Sequence, residues 1–366
     1  MSLRGTYPQA LFGEHGEQGV TVSDKALGYW EYFATEARLG QCPLYARFSE
    51  GIADDRELQA LANNVREGQP HANVLFAAVH FLLLRGTDHP LCQYYPNLNG
   101  RMRLEDGDPF PLFADFCARY REELLPLIKT RVTNTNEVGR CGALNAAFRA
   151  LAKEAGEPLH LIEVGPSAGL NLIWDRYRVR YWLGTEEYFT NVPGSRLTLD
   201  VELRGEKRPP LGPAPKVASR IGLERNPVDL SNADDRDWLR ALVWPEQVER
   251  FARLEAALAI YQDARPEIRT GNALELLPDV LARVPPNETV CVYHSYVTYQ
   301  FSQDMKAAFS DILTVAGLRR SVWRLSYEGR VHNENRLTLR HYHDGTRDER
   351  ILGRAHPHGA WLEWLA

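Results

Sequence analysis

Leu161-Ile162-Glu163-Val164-Gly165-Pro166-Ser167-Ala168-Gly169 is the stretch on which the reading of this chain turns. A β-rich run over residues 159–164 enters a turn of small residues, and a helical pattern opens at Leu170. In an open parallel sheet, ligands bind in the crevice at the carboxyl end of such a strand, where small side chains let them approach the backbone. A glutamate two residues before the first glycine, in an otherwise apolar strand, is hard to explain as a mere turn.

Upstream of this stretch, apolar positions recur at three and four, which predicts helices over the first 155 residues. Phe113, Phe116, Cys117, Tyr120 and Leu124 form one stripe, opened by Asp108 as N-cap and Pro109 at the first helical position. Leu144, Ala147, Phe148, Leu151, Ala152 and Ala155 form another, stopped by Gly156 and Pro158. Further helices are expected over 24–38, 54–66 and 72–85. Downstream, strands at 217–223, 289–297 and 320–326 alternate with helices around 238–261 and 303–315, which implies a mostly parallel sheet with helices on both faces. Residues 337–343 and 351–365 follow one another without a helix, and Asp344-Gly345 signals an antiparallel hairpin, expected at the sheet's edge. Residues 178–216, with strand-like runs at 177–182 and 196–203 and then a Pro-rich segment with prolines at 209, 210, 213 and 215, read as a β insertion between the first two strands. The expected fold class is α/β, with an N-terminal all-α cap domain (1–156) and an α/β domain (157–366).

With 366 residues the chain can bury about three quarters of its extended surface, so a large core needs no staples. Forty-three basic against 48 acidic residues give net charge -5 without a long basic run, which argues against nucleic acid as a partner. The greasiest run, 72–84, is too short to span a bilayer and predicts a buried helix rather than a membrane contact. Five cysteines without a C-x-x-C pair, and an N-terminus without an apolar signal stretch, lead to the expectation of reduced thiols in a cytoplasmic protein.

Three readings of the turn compete. The dinucleotide fingerprint G-x-G-x-x-G separates its outer glycines by five, whereas Gly165 and Gly169 differ by four, so a nicotinamide or flavin is disfavoured. Gly165-Pro166-Ser167-Ala168-Gly169 is also G-x-S-x-G, a nucleophile elbow in which Ser167 would attack an acyl group. That fold expects several strands before the elbow, and here helical sequence precedes it.

The third reading is E-x-G-x-S-x-G, which resembles the first motif of class I S-adenosylmethionine-dependent methyltransferases through Glu163, Gly165, Ser167 and Gly169, with serine in place of the middle glycine. The resemblance continues in order over residues 157–366. Glu224, in Gly222-Leu223-Glu224-Arg225-Asn226-Pro227, would accept the ribose hydroxyls, and Asn272, in Thr270-Gly271-Asn272-Ala273, would face the adenine where the family has an acid. Val292-Tyr293-His294-Ser295-Tyr296 would face the substrate, with His294 as general base and Tyr293, Ser295 and Tyr296 lining the site. The implied fold is the Rossmann-like methyltransferase sheet, and the implied function is methyl transfer from S-adenosylmethionine to a small molecule. A protein that binds the nucleoside without turnover would carry the same donor motifs.

Pro43-Leu44-Tyr45-Ala46-Arg47, Thr135-Asn136-Glu137-Val138-Gly139-Arg140 and Trp244-Pro245-Glu246-Gln247, with residues 163–171, resemble a bacterial domain of unknown function numbered two-three-three-two. That resemblance places Asn136, Glu137 and Arg140 in the same site, Arg140 pairing with a ligand carboxylate and Glu137 with an ammonium. Each residue also has a structural reading. Asn272 is a good N-cap, His294 could be a core histidine, and Glu137 and Arg140 sit at the spacing of an intrahelical pair. His341 and His343 share one strand face, as do His356 and His358, but a tight turn at Asp344-Gly345 would pair His343 with Thr346 and His341 with Asp348, leaving the second pair far away. No metal is expected.

Overall fold

The computed structural model describes residues 28–366 apart from Asn99, Asn191, His332 and Asn333; residues 24–27 of the first expected helix lie outside the described part. The described chain forms two compact units, each assembled from separate segments.

The helical unit contains described residues 28–137 and Asn226–Gln262. Its central helix, His71–Leu84, buries ten of its fourteen residues, so it is apolar on every side, as the run at 72–84 predicts. Tyr45, Phe48, Phe76 and Phe113 stack around it, with ring centroids 4.6 Å apart for Tyr45 and Phe76 and 4.3 Å for Phe48 and Phe113. Two expected helices are each broken in two. The stripe at 113–124 becomes Phe110–Arg119 and Arg121–Thr130, and 238–261 becomes Ala233–Ala241 and Val248–Ala264, where Pro245 interrupts the pattern. Asp108 does act at the start of its helix, accepting the Phe110 N–H at 3.0 Å. No described helix is long and apolar enough to cross a membrane.

The second unit holds Val138–Arg225 and Asp263–Ala366. Thus the helix Cys141–Ala155 belongs with the strands, and residues 226–262 belong with the helices, where the sequence pattern predicts a single boundary at 156. The strands are β1 (Leu159–Val164), β2 (Arg178–Leu183), β3 (Glu186–Phe189), β4 (Thr198–Arg204), β5 (Val217–Glu224), β6 (Glu267–Thr270), β7 (Thr289–Ser295), β8 (Val322–Val331), β9 (Glu334–His343), β10 (Thr346–Ala355) and β11 (Trp361–Trp364). They form one eleven-stranded sheet in the order β3-β2-β4-β11-β10-β9-β8-β7-β1-β5-β6. From β6 to β8 all pairs are parallel; β8-β9, β9-β10 and β10-β11 are antiparallel.

The hairpin forms at Asp344-Gly345, both at positive φ (48° and 74°), with His343 opposite Thr346 and His341 opposite Asp348 as the turn predicts. It does not lie at the sheet's edge. β11 pairs with β10 and, in parallel, with β4 of the insertion, so residues 178–204 extend the same sheet beyond the hairpin. Local patterning cannot show this, because strand pairing across so long a separation is decided by which backbone edge remains uncovered.

Strands β1 and β7 are buried throughout apart from the half-buried Thr289, so they read as nearly continuous apolar runs. Ile162, Val164, Ile221, Leu223, Val290 and Val292 pack with Leu277, Leu281, Phe309 and Leu313 of the flanking helices Ala273–Arg283 and Gln303–Gly317. Elsewhere in the unit, Phe148 of the helix Cys141–Ala155 stacks on Trp174 (4.9 Å) and meets Tyr293 edge-on (5.0 Å).

Candidate functional site

After β1 the chain lays β2, β3 and β4 at the far end of the sheet, then returns to place β5 and β6 on one side of β1 and β7 and β8 on the other, so among the central parallel strands β1 and β7 flank the point where strand order reverses. Crevices form at the carboxyl ends of strands at such a point. The turn 165–169 lies there, with Gly165, Ser167 and Gly169 at φ of 70°, 56° and 80°. Gly165 is required twice over: its φ is left-handed, and an added Cβ would lie 2.7 Å from Val297 Cγ2. The Gly165 N–H bonds Leu223 O at 3.0 Å, and the Gly169 N–H bonds Pro166 O at 2.8 Å.

Glu224, at the end of β5, accepts the Ser167 backbone N–H on Oε2 at 2.9 Å, while its own carbonyl accepts the Gly271 N–H at 2.8 Å. The carboxylate is therefore oriented by the turn itself. Glu163 is 1% exposed and accepts the Tyr293 hydroxyl on Oε2 at 3.0 Å. Burial pushes its pKa up to about 8; the hydrogen bond from Tyr293 and the charge of Arg140 pull it down, and Glu224 adds to the rise. At neutral pH Glu163 is largely a neutral acid.

Arg140 reaches the carboxyl end of β7. Its Nε donates to Pro357 O at 2.9 Å, one terminal nitrogen donates to Ser295 O at 3.3 Å, and the guanidinium lies 4.1 Å from the centre of the Tyr296 ring. The turn preceding β11 packs so closely on this segment that a Cβ on Gly359 would fall 2.0 Å from Gly139 O. Tyr296, itself at φ 55°, donates its hydroxyl to Asn335 Oδ1 at 2.6 Å.

Glu163, Gly165, Ser167, Gly169, Glu224, Tyr293, Ser295 and Tyr296 thus lie at or just beyond the carboxyl ends of the adjacent strands β1, β5 and β7, and Arg140, of the same unit, reaches the end of β7 from the turn before the helix Cys141–Ala155. Other expected residues take different places. Asn272 caps the helix Ala273–Arg283: Oδ1 accepts the Leu274 N–H at 3.1 Å and Nδ2 donates to Glu275 at 2.9 Å. Glu137 belongs to the helical unit with Asn136, and its buried carboxylate lies 2.5 Å from Arg250 Nε, so it is committed to an ion pair.

His294 is fully buried with both ring nitrogens engaged. Nδ1 lies 2.5 Å from Glu328 Oε1, and Nε2 accepts from Arg324 Nε at 3.1 Å. An imidazole that donates from one nitrogen and accepts on the other is neutral and has no lone pair left for a substrate proton. Burial, then Arg324, lowers its pKa, which makes the imidazole a weaker base. Glu328 also accepts the N–H groups of Val297 (3.0 Å) and Thr298 (3.1 Å). The histidine therefore corrects the expectation of a general base: it positions the loop after β7. Sequence reading missed Arg324 and Glu328. The available signal was two opposite charges at i and i+4, on one face of the strand beside His294.

The segments 43–47 and 244–247 meet inside the helical unit. Glu246 accepts the Leu44 N–H at 2.7 Å and bonds the Cys42 thiol, and Tyr45 packs on Trp244 with centroids 5.9 Å apart. The last loop therefore closes the start of the helix Pro43–Asp54, which has no side-chain cap of its own.

Comparison with known proteins shows a family. A family model described as "Uncharacterized protein conserved in bacteria" (DUF2332) covers residues 30–364. No curated protein and no solved structure matches.

Proposed function

The chain belongs to the DUF2332 family, and from that premise we propose that its sheet unit binds S-adenosylmethionine and transfers the methyl group to a small molecule. One observation carries the reading. The strand order β6-β5-β1-β7-β8, followed by antiparallel β9, resembles the class I methyltransferase half-sheet, and it sets the turn 165–169 and Glu224 at the point of strand reversal.

The residues present suit that ligand. Glu224, held by the Ser167 N–H, would accept the ribose hydroxyls. Arg140, on Tyr296, would meet the amino acid carboxylate, and Glu163 takes the role first expected of Glu137, meeting the ammonium once ionised. The sulfonium supplies a reactive methyl group, so the chain's task is to align acceptor and donor and to exclude water. His294 is not needed for that work, which favours an acceptor atom that is nucleophilic without a protein base.

Calorimetric titration with S-adenosylmethionine and S-adenosylhomocysteine tests the reading. Binding by the wild type, weakened by about 1–3 kcal/mol in Glu224→Ala, is expected. No binding at millimolar ligand refutes it. Binding without methylated product across a metabolite library would point to a nucleoside sensor.

One observation favours a second reading, a serine hydrolase. Ser167 stands at φ 56° in a strand-turn-helix, the strained placement of a nucleophile elbow. It is, however, 3% exposed and follows the first strand of the sheet, before any other strand has formed. Labelling of wild type but not Ser167→Ala by a fluorophosphonate would establish this reading instead.

A further inference from the structure

We propose that the turn end of the β9–β10 hairpin binds a divalent first-row metal ion of the zinc class through His341, His343 and Asp348. Alternation along β9 puts both histidines on one face, and the hairpin register sets Asp348 directly opposite His341. One potential ligand atom from each of the three lies within 4.8 Å of the others. His343 Nε2 is already 2.8 Å from Asp348 Oδ2.

The imidazoles are held by their neighbours. His341 lies flat on Trp323 of β8, with ring centroids 3.9 Å and planes 1° apart, and its Nε2 is 3.1 Å from Ser321 Oγ. The ring of His343 stacks beside it at 4.3 Å. A second carboxylate, Asp344, stands 3.6 Å from His343 Nδ1 and adds negative charge beside the three ligands.

Two imidazoles and one carboxylate suit zinc and its neighbours in the first row; calcium and magnesium prefer sites made of oxygen alone. Metal–ligand bonds of about 2.0–2.1 Å at tetrahedral angles place ligand atoms roughly 3.4 Å apart, so binding would open the His343–Asp348 pair from 2.8 Å and close any spacing near the 4.8 Å limit by about an ångström. Asp348 is exposed and free to make that movement. Three protein ligands leave a fourth position for water or an outside donor.

This place is distinct from the candidate active site. His341 is paired with Trp323 at the start of β8, whereas Ser295, at the end of β7, pairs with Tyr327 further along β8. The hairpin turn therefore lies at the opposite end of the parallel strands from the turn 165–169, and the inference stands or falls apart from the methyl-transfer reading.

The test is titration of the full-length, tag-free chain with zinc chloride and with cobalt(II) chloride, read by calorimetry and by cobalt visible absorption. One site with micromolar or tighter affinity is expected, with protons released because the ligating imidazoles must be neutral. His343→Ala and Asp348→Asn should each raise Kd by about a hundredfold or more, no less than the loss of an outer-sphere partner costs. His356→Ala should leave it unchanged. Circular dichroism of each variant separates loss of ligand from loss of fold. Wild type that binds neither ion below millimolar concentration overturns the proposal, as does affinity unchanged by the His343 and Asp348 substitutions.

Discussion

Glu163 holds a proton at neutral pH that an unfolded glutamate would not hold, because its carboxyl is buried. Between its ordinary value of 4.5 and about 8, the folded chain binds more protons at this group than the unfolded chain does. Its contribution to stability is therefore fully present below the lower value and falls as pH rises through about 8. Urea midpoints at pH 6 and pH 9 should show that loss in the wild type, on the order of a few kcal/mol, and much less of it in Glu163→Gln. If Glu163 meets the ligand's ammonium, donor affinity should climb over the same window in wild type only. Gly165→Ala forces a Cβ against Val297 at a left-handed φ, and should cost about 1–3 kcal/mol in a denaturant series. These residues were legible because an acid within an apolar strand is costly to bury, and glycines directly after it mark a backbone that other residues rarely adopt. The commitments of His294 and Glu137 were not, since Arg324, Glu328 and Arg250 reach them only through tertiary packing.

At the scale of elements, strands and turns with strong local chemistry follow the sequence. β1 begins and ends where its apolar run does, and the hairpin register follows from two residues able to adopt positive φ. The helix Pro43–Asp54 was not foreseen, since it has no side-chain cap and borrows Glu246 from a distant loop. Glu246→Ala leaves the Leu44 N–H and the Cys42 thiol without that acceptor, and should lower stability by about 1–3 kcal/mol; thermal melts against Glu246→Gln would measure it. The insertion strands read correctly as strands, but their pairing with β11 lay beyond any local signal.

For the molecule as a whole, the chain crosses between its two units at 137–138, 225–226 and 262–263. A fragment of residues 157–366 would lack the helix Cys141–Ala155, whose Phe148 packs on Trp174 and Tyr293 and whose Gly142 O accepts the Tyr181 hydroxyl at 2.7 Å. It would also carry residues 226–262 without the helices they pack with. That fragment should show no cooperative thermal transition, in contrast to the full chain. The sequence alone determined the helical and strand-rich regions, the turn at 165–169 and the hairpin, because each rests on periodicity or on backbone conformations open to few residues. Only the tertiary structure decided that Cys141–Ala155 joins the sheet unit, that the insertion extends the same sheet, and which charges pair, because these depend on surfaces brought together from distant parts of the chain.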